Sequence, residues 1–106
     1  MIISTTDSIL GKKVIKTFGL VRGNTIRARH VGKDIMAALK NLVGGEIVEY
    51  TKLMSESREQ AIDRMTDDAK RLGANAIVGT RFTTSMIMGA AAELLAYGTA
   101  VLVKDE

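Results

Sequence analysis

The 106-residue sequence has no cysteine, no proline and no tryptophan. Without cysteine there is no disulfide framework, no thiolate metal ligand and no thiol nucleophile. Aromatics are limited to Phe18, Tyr50, Phe82 and Tyr97, too few and too scattered for the stacking platforms that bind single-stranded nucleic acid. One imidazole, His30, would have to serve any catalytic triad or histidine metal site. No apolar run approaches the roughly 20 residues that cross a bilayer. The N-terminal MIISTTDS lacks the basic n-region and apolar h-region of a signal peptide. A cytoplasmic location with no membrane partner is expected.

What is present is ordinary globular composition, 46% hydrophobic and 25% charged. The length suits one domain of roughly 100–150 residues, so residues 1–106 are expected to form a single domain. The net charge of +3 conceals a split. The first 33 residues carry Lys12, Lys13, Lys16, Arg22, Arg27, Arg29 and Lys33 against Asp7 alone, while the remainder is net acidic. Such a split suits either a solvated face balanced by acidic helices or a surface that attracts polyanions.

Along the chain, MIIST reads as a short strand closed by Thr6-Asp7-Ser8. Lys12–Val21 reads as a strand with apolar groups on both faces: Val14, Phe18 and Leu20 on one side, Ile15 and Val21 on the other. Both faces are expected to be covered. Arg22-Gly23-Asn24 is a turn or bulge signal, after which Thr25–Arg29 can resume the strand. Ile35, Ala38, Leu39 and Leu42 have helical spacing, predicting a helix over Lys33–Val43 that stops at Gly44-Gly45.

Glu46–Leu72 is the longest predicted helix, with Ile47, Tyr50, Met54, Ala61, Met65, Ala69 and Leu72 forming one stripe. Arg64–Asp68 and Asp67–Arg71 have i,i+4 spacing for ion pairs. The front half, EIVEYTKLM, also has strand propensity, and Ser55 or Ser57 could open a second helix. Asn75–Met88 and Leu94–Val103 read as strands, the first with Ala76, Val78, Thr80 and Phe82 on one face. The intervening Gly89-Ala90-Ala91-Ala92 fits either structure. This order predicts a two-layer α+β fold, with a mainly antiparallel sheet and two helices, one long, packed on one face.

Several segments, in this order and spacing, resemble the YbjQ-like family. They are Ser4-Thr5-Thr6, Gly19-Leu20-Val21-Arg22-Gly23, Lys33-Asp34, Val43-Gly44-Gly45, Tyr50, Leu72-Gly73-Ala74-Asn75-Ala76-Ile77-Val78-Gly79 and Gly98-Thr99-Ala100-Val101. The resemblance implies a two-layer α+β fold, a homopentameric ring and no established reaction. The family carries a heavy-metal-binding label, and many members place an Asp-x-Asp-Tyr-like stretch directly after the Val-Gly step. Here that stretch is Thr80-Arg81-Phe82-Thr83-Thr84, and a guanidinium cannot ligate a cation.

No reaction is expected from the remaining groups. Thr83, Thr84 and Ser85 lack a G-x-S-x-G turn, and the acid pairs Glu56/Glu59 and Asp63/Asp67 fit a charged helix face. Walker A and G-x-G-x-x-G motifs are absent, and no cofactor is expected. Met86 and Met88 share a strand face, offering two thioethers, while Met36, Met54 and Met65 suit core positions. His30, with Arg29 and Lys33 before a helix start, is a weak anion or ligand candidate, as is Arg81. The reading is a non-enzymatic homo-oligomer, pentameric by resemblance, that binds a small ligand or partner of unknown identity. Polyanion binding through the basic first third is the alternative, although nucleic acid is not an expected partner. Heavy-metal binding stands third.

Overall fold

In the computed structural model, residues 1–28, 42–43, 46–87 and 91–106 are described. The elements run β1 (Ile2–Ile3), β2 (Lys12–Ala28), β3 (Leu42–Val43), β4 (Glu46–Ile47), α1 (Val48–Leu72), β5 (Ala76–Ile87) and β6 (Ala91–Asp105). The strict alternation of β6 makes it two-faced, and it takes an interior position in a four-stranded sheet ordered β1-β5-β6-β2. It pairs antiparallel with β2 and β5, while β1 adds to β5 in parallel, so the sheet is mixed. β3 and β4 form a separate two-stranded ladder. Among the described residues there is one helix, and none is long and apolar enough to cross a membrane.

One face of the sheet lies under α1. Ala61, Met65 and Ala69 are fully buried against Val21, Ile77, Leu94, Ala96 and Ala100, with Phe18 packed at the margin. The small residues on both sides let helix and sheet approach closely. At Gly23 the approach is closest: a Cβ there would overlap the Ala61 carbonyl and the Met65 nitrogen. The second face holds Ala76, Val78, Val101 and Val103, partly roofed by Ile9 of the N-terminal segment. Gly73, at φ 93°, closes α1 in a Schellman arrangement. Its N–H donates to the Lys70 carbonyl and the Ala74 N–H to the Ala69 carbonyl. Asn75 then extends the ladder with its side chain, donating to the Val103 carbonyl (2.9 Å) and accepting from the Val103 N–H (2.8 Å).

The structure corrects several local expectations. Arg22-Gly23-Asn24 is neither turn nor bulge, since β2 runs through it in unbroken register with β6; the glycine serves helix contact instead. The bulges fall at Ile15 and Phe18, where β2 slips against β6. They place Phe18 with Val21 on the helix side and Leu20 on the other, and Val14, Ile15 and Leu20 remain exposed rather than covered. A third irregularity lies between Val78 and Arg81, with Gly79 at φ 61°. It moves Thr80 and Phe82 to the side opposite Ala76 and Val78.

The helix expected over Lys33–Val43 falls mostly outside the described residues, but its end, Leu42–Val43, pairs as a strand with Glu46–Ile47. Accordingly α1 begins at Val48 and runs unbroken past Ser55 and Ser57. The two i,i+4 ion pairs do not form. Arg64 reaches the Asn24 carbonyl, and Asp68 bonds the Arg22 N–H and Arg71. A backbone edge one strand away outcompetes the neighbouring helical turn.

The long sheet sets the shape. β2 and β6 are 17 and 15 residues long, while α1 packs mainly on β2 and β6. The Cα radius of gyration is 17.2 Å, against about 13 Å for a compact chain of this size.

Candidate functional site

Of the four candidate ligand residues, Arg29, His30 and Lys33 lie outside the described residues. Arg81 is described, and its geometry is that of a clasp. The bulge at Gly79 turns the backbone N–H groups of Gly79 and Thr80 toward the N-terminal segment, where they donate to the carbonyls of Thr6 (2.9 Å) and Ser4 (3.0 Å). Arg81 Nη1 completes the set by donating to the carbonyls of Thr5 and Thr80, each at 2.8 Å. The tight Ser4–Ser8 turn that receives these bonds is braced internally. The Thr6 N–H donates to Ser4 Oγ (3.1 Å), and Thr6 Oγ1 donates to the Ser8 carbonyl (2.5 Å). The guanidinium thus fastens one chain segment to another.

Metal ligands do not assemble: among the described residues no three His, Cys, Asp or Glu side chains come together. Met65 is fully buried, Met54 half-buried and Met86 exposed, while Met36 and Met88 lie outside the described residues. Among the described residues, then, no donor set for a heavy metal is brought together.

Nucleophilic chemistry fares no better. Thr83, Thr84 and Ser85 sit exposed on β5. Glu56, Glu59 and Asp63 line an open depression on the outer face of α1 with Ser55 and Gln60. Among the described residues that lining gathers carboxylates without a base.

The described charges do concentrate elsewhere. In the β2–β6 ladder Lys13 stands directly opposite Lys104, a like-charge cross-strand pair that costs stability. Alternation along β6 from Ala100 puts both on the helix side, with Lys16 two ladder steps nearer the helix. Lys16 lies over the Phe18 ring, 5.0 Å from its centroid, and Lys70 and Arg71 occupy the last turn of α1. Arg71 is paired with Asp68 (3.3 Å). Lys12, by contrast, is bonded to Asp105, and this lysine holds the Asp105 carboxyl below the ordinary aspartate range.

Two features of this region were not legible in the sequence. Thr25 and Ser57 are buried face to face between β2 and α1, Thr25 Oγ1 donating to the Ser57 carbonyl at 3.4 Å. Thr80 is likewise buried beside Gly98. Ser57 stands four residues before Ala61 on the buried stripe, and that spacing was the available signal.

A family described as "Putative heavy-metal-binding" matches residues 1–104. A protein named "UPF0145 protein" from Methanosarcina acetivorans is 58% identical over 105 residues, 99% of each chain. Another of that name from Archaeoglobus fulgidus is 56% identical over 104 residues, 98% of this chain and 96% of the relative. Neither name is enzymatic. A crystal structure from Pediococcus pentosaceus, described as a protein with unknown function of the DUF74 family, superposes with a TM-score of 0.69 at 18% identity. It covers 98% of both chains and shares the α+β fold.

Proposed function

Because the chain belongs to the YbjQ_1 family, we propose that it is a cytoplasmic, non-enzymatic homo-oligomer, a pentamer, that binds a small ligand or partner as a single-domain subunit. The observation that carries this reading is the exposed apolar length of the sheet. Leu20 is 67% and Ile26 59% exposed on the face of β2 away from the helix, and Met86 is 67% exposed on the helix side of β5. These residues sit on packed strands, and a second subunit is the simplest cover for them. Native mass spectrometry of freshly purified protein tests the assembly. The expected result is a multiple of 11.4 kDa with any retained small molecule in the mass excess; a clean monomer at micromolar concentration overturns it.

Polyanion binding is the second reading, favoured by the Lys13–Lys104 pair. A like-charge pair with Lys16 two ladder steps away is relieved when an anion sits between the ammonium groups. Charge neutralisation of Lys13, Lys16 and Lys104 together is expected to abolish binding of RNA or DNA at low salt, with wild-type affinity falling steeply as salt rises. Absence of any such binding by the wild type removes the reading. Heavy-metal binding rests on the family description alone, and the described donor set gives it no site.

A further inference from the structure

A compact, unbalanced charge lies where β2 begins and β6 ends. Lys13 and Lys104 face each other across the ladder, and Lys16 stands opposite Leu102, two residues before Lys104 on the same face. Directly opposed Cβ atoms lie roughly 5 Å apart and diagonal ones roughly 7–8 Å, so three flexible ammonium arms share one volume. Lys16 is the anchored member of the three. Its ammonium sits 5.0 Å from the Phe18 ring centroid, and Phe18 packs against the buried core.

Carboxylates do not balance this cluster. Asp105 is on the opposite face with Lys12, to which it is bonded. Glu106, which follows, is exposed. Among the described residues none of the three lysines has an ion-pair partner. Past Lys16 the cations stop as well. The helix side of β2 continues as Phe18, Val21, Gly23 and Thr25, each packed on the core or on α1. No row of charge therefore leads away along this face of the strand.

That layout suits one kind of anion. A nucleic-acid strand carries one charge per nucleotide, strung along a line, and is held by cations that follow it. A terminal phosphate alone carries roughly −1.5 to −2 near neutral pH, and phosphates joined in a short chain concentrate more charge in one place. Lysine suits such a group because its ammonium is a mobile point charge with three donors. We propose that Lys13, Lys16 and Lys104 form a binding site for a di- or triphosphate group. This rests on the polyanion reading above and narrows its anion. The opposed Lys13–Lys104 pair is then a cost of the free chain that the ligand removes.

Calorimetric titration of the full chain in metal-free buffer tests the site with inorganic triphosphate, a nucleoside triphosphate, inorganic phosphate and single-stranded RNA. Inorganic triphosphate is expected to bind at least about tenfold more tightly than inorganic phosphate, and Lys16→Gln and Lys104→Gln are each expected to weaken it about tenfold. Lys12→Gln, the same loss of charge on the other face, is expected to leave affinity within about twofold. Because Lys104→Gln removes the opposed pair, its denaturation midpoint is expected to rise, which separates lost binding from lost folding. Equal affinity for the two triphosphates identifies the phosphate chain as what is recognised. Tighter binding of the nucleoside triphosphate, weakened by the same variants, identifies a nucleotide as its source. Triphosphate bound no more tightly than phosphate, or weakened as much by Lys12→Gln as by Lys104→Gln, overturns the proposal. RNA binding without triphosphate binding overturns it and leaves the polyanion reading standing, whereas binding of neither overturns both.

Discussion

Gly23 shows how one residue can be read two ways. Between Arg22 and Asn24 it has the company of a turn, yet its strand is straight and its missing side chain is what lets α1 rest on β2. The neighbours in question are backbone atoms of the helix, the Ala61 carbonyl and the Met65 nitrogen, and backbone cannot swing aside as a side-chain end can. Gly23→Ala is therefore expected to destabilise the fold by about 3 kcal/mol, measured by chemical denaturation. The same substitution at Gly11, which has open space but φ 79°, meets no neighbour and carries only the backbone penalty of about 1–2 kcal/mol. Comparable losses at the two positions would refute the close-approach account. Arg81 makes the same point for charge: its sequence position marked it as a departure from a carboxylate pattern, and its bonds to Thr5 and Thr80 show what it does instead.

At the scale of elements, Arg64 and Asp68 act as guards on the β2 edge. Their bonds to backbone lie at an exposed surface, so their combined contribution to stability is modest, about 1 kcal/mol. Their effect on association is larger in kind, because each occupies a group that another strand would use. The double variant Arg64→Ala, Asp68→Ala is expected to aggregate faster than wild type at equal denaturant distance from its unfolding midpoint, followed by light scattering. Unchanged aggregation would mean that the edge is protected by other means.

Much of the element pattern was legible in the sequence for physical reasons. Leu94–Val103 is a strand, as its residues predict, and the Ala61, Met65 and Ala69 spacing marks the buried stripe of α1. The errors came where alternation is interrupted. Bulges at Ile15, Phe18 and Gly79 each move the following residues to the other face, and a two-residue periodicity cannot reveal a slip that depends on the partner strand. The guards were hidden for the same reason, since Arg64 and Asp68 looked paired along their helix until a distant strand offered better-placed backbone groups.

On the scale of the molecule, the basic first third proved to be divided. Lys12 turns to Asp105, whereas Lys13 joins Lys16 and Lys104 beyond the end of α1. Charge therefore gathers through the pairing of the chain's beginning with its end, which composition along the sequence understates because Lys104 lies in the acidic part. If subunits assemble, these clusters repeat, and the salt dependence of any polyanion affinity is expected to be steeper for the oligomer than for dissociated subunits.

The order of the strands also governs the protein's birth. β2 and β5 each pair with β6 and, among the described residues, not with one another, and β6 follows both in the chain. A ribosome making this polypeptide must therefore release Ala91–Asp105 before either ladder can zip. Until then the Ala61–Met65–Ala69 stripe has an incomplete floor, and the nascent chain waits with apolar surface in water. Folding is accordingly dominated by pairings between distant residues such as Lys12 and Asp105, which places it among the slow-folding topologies.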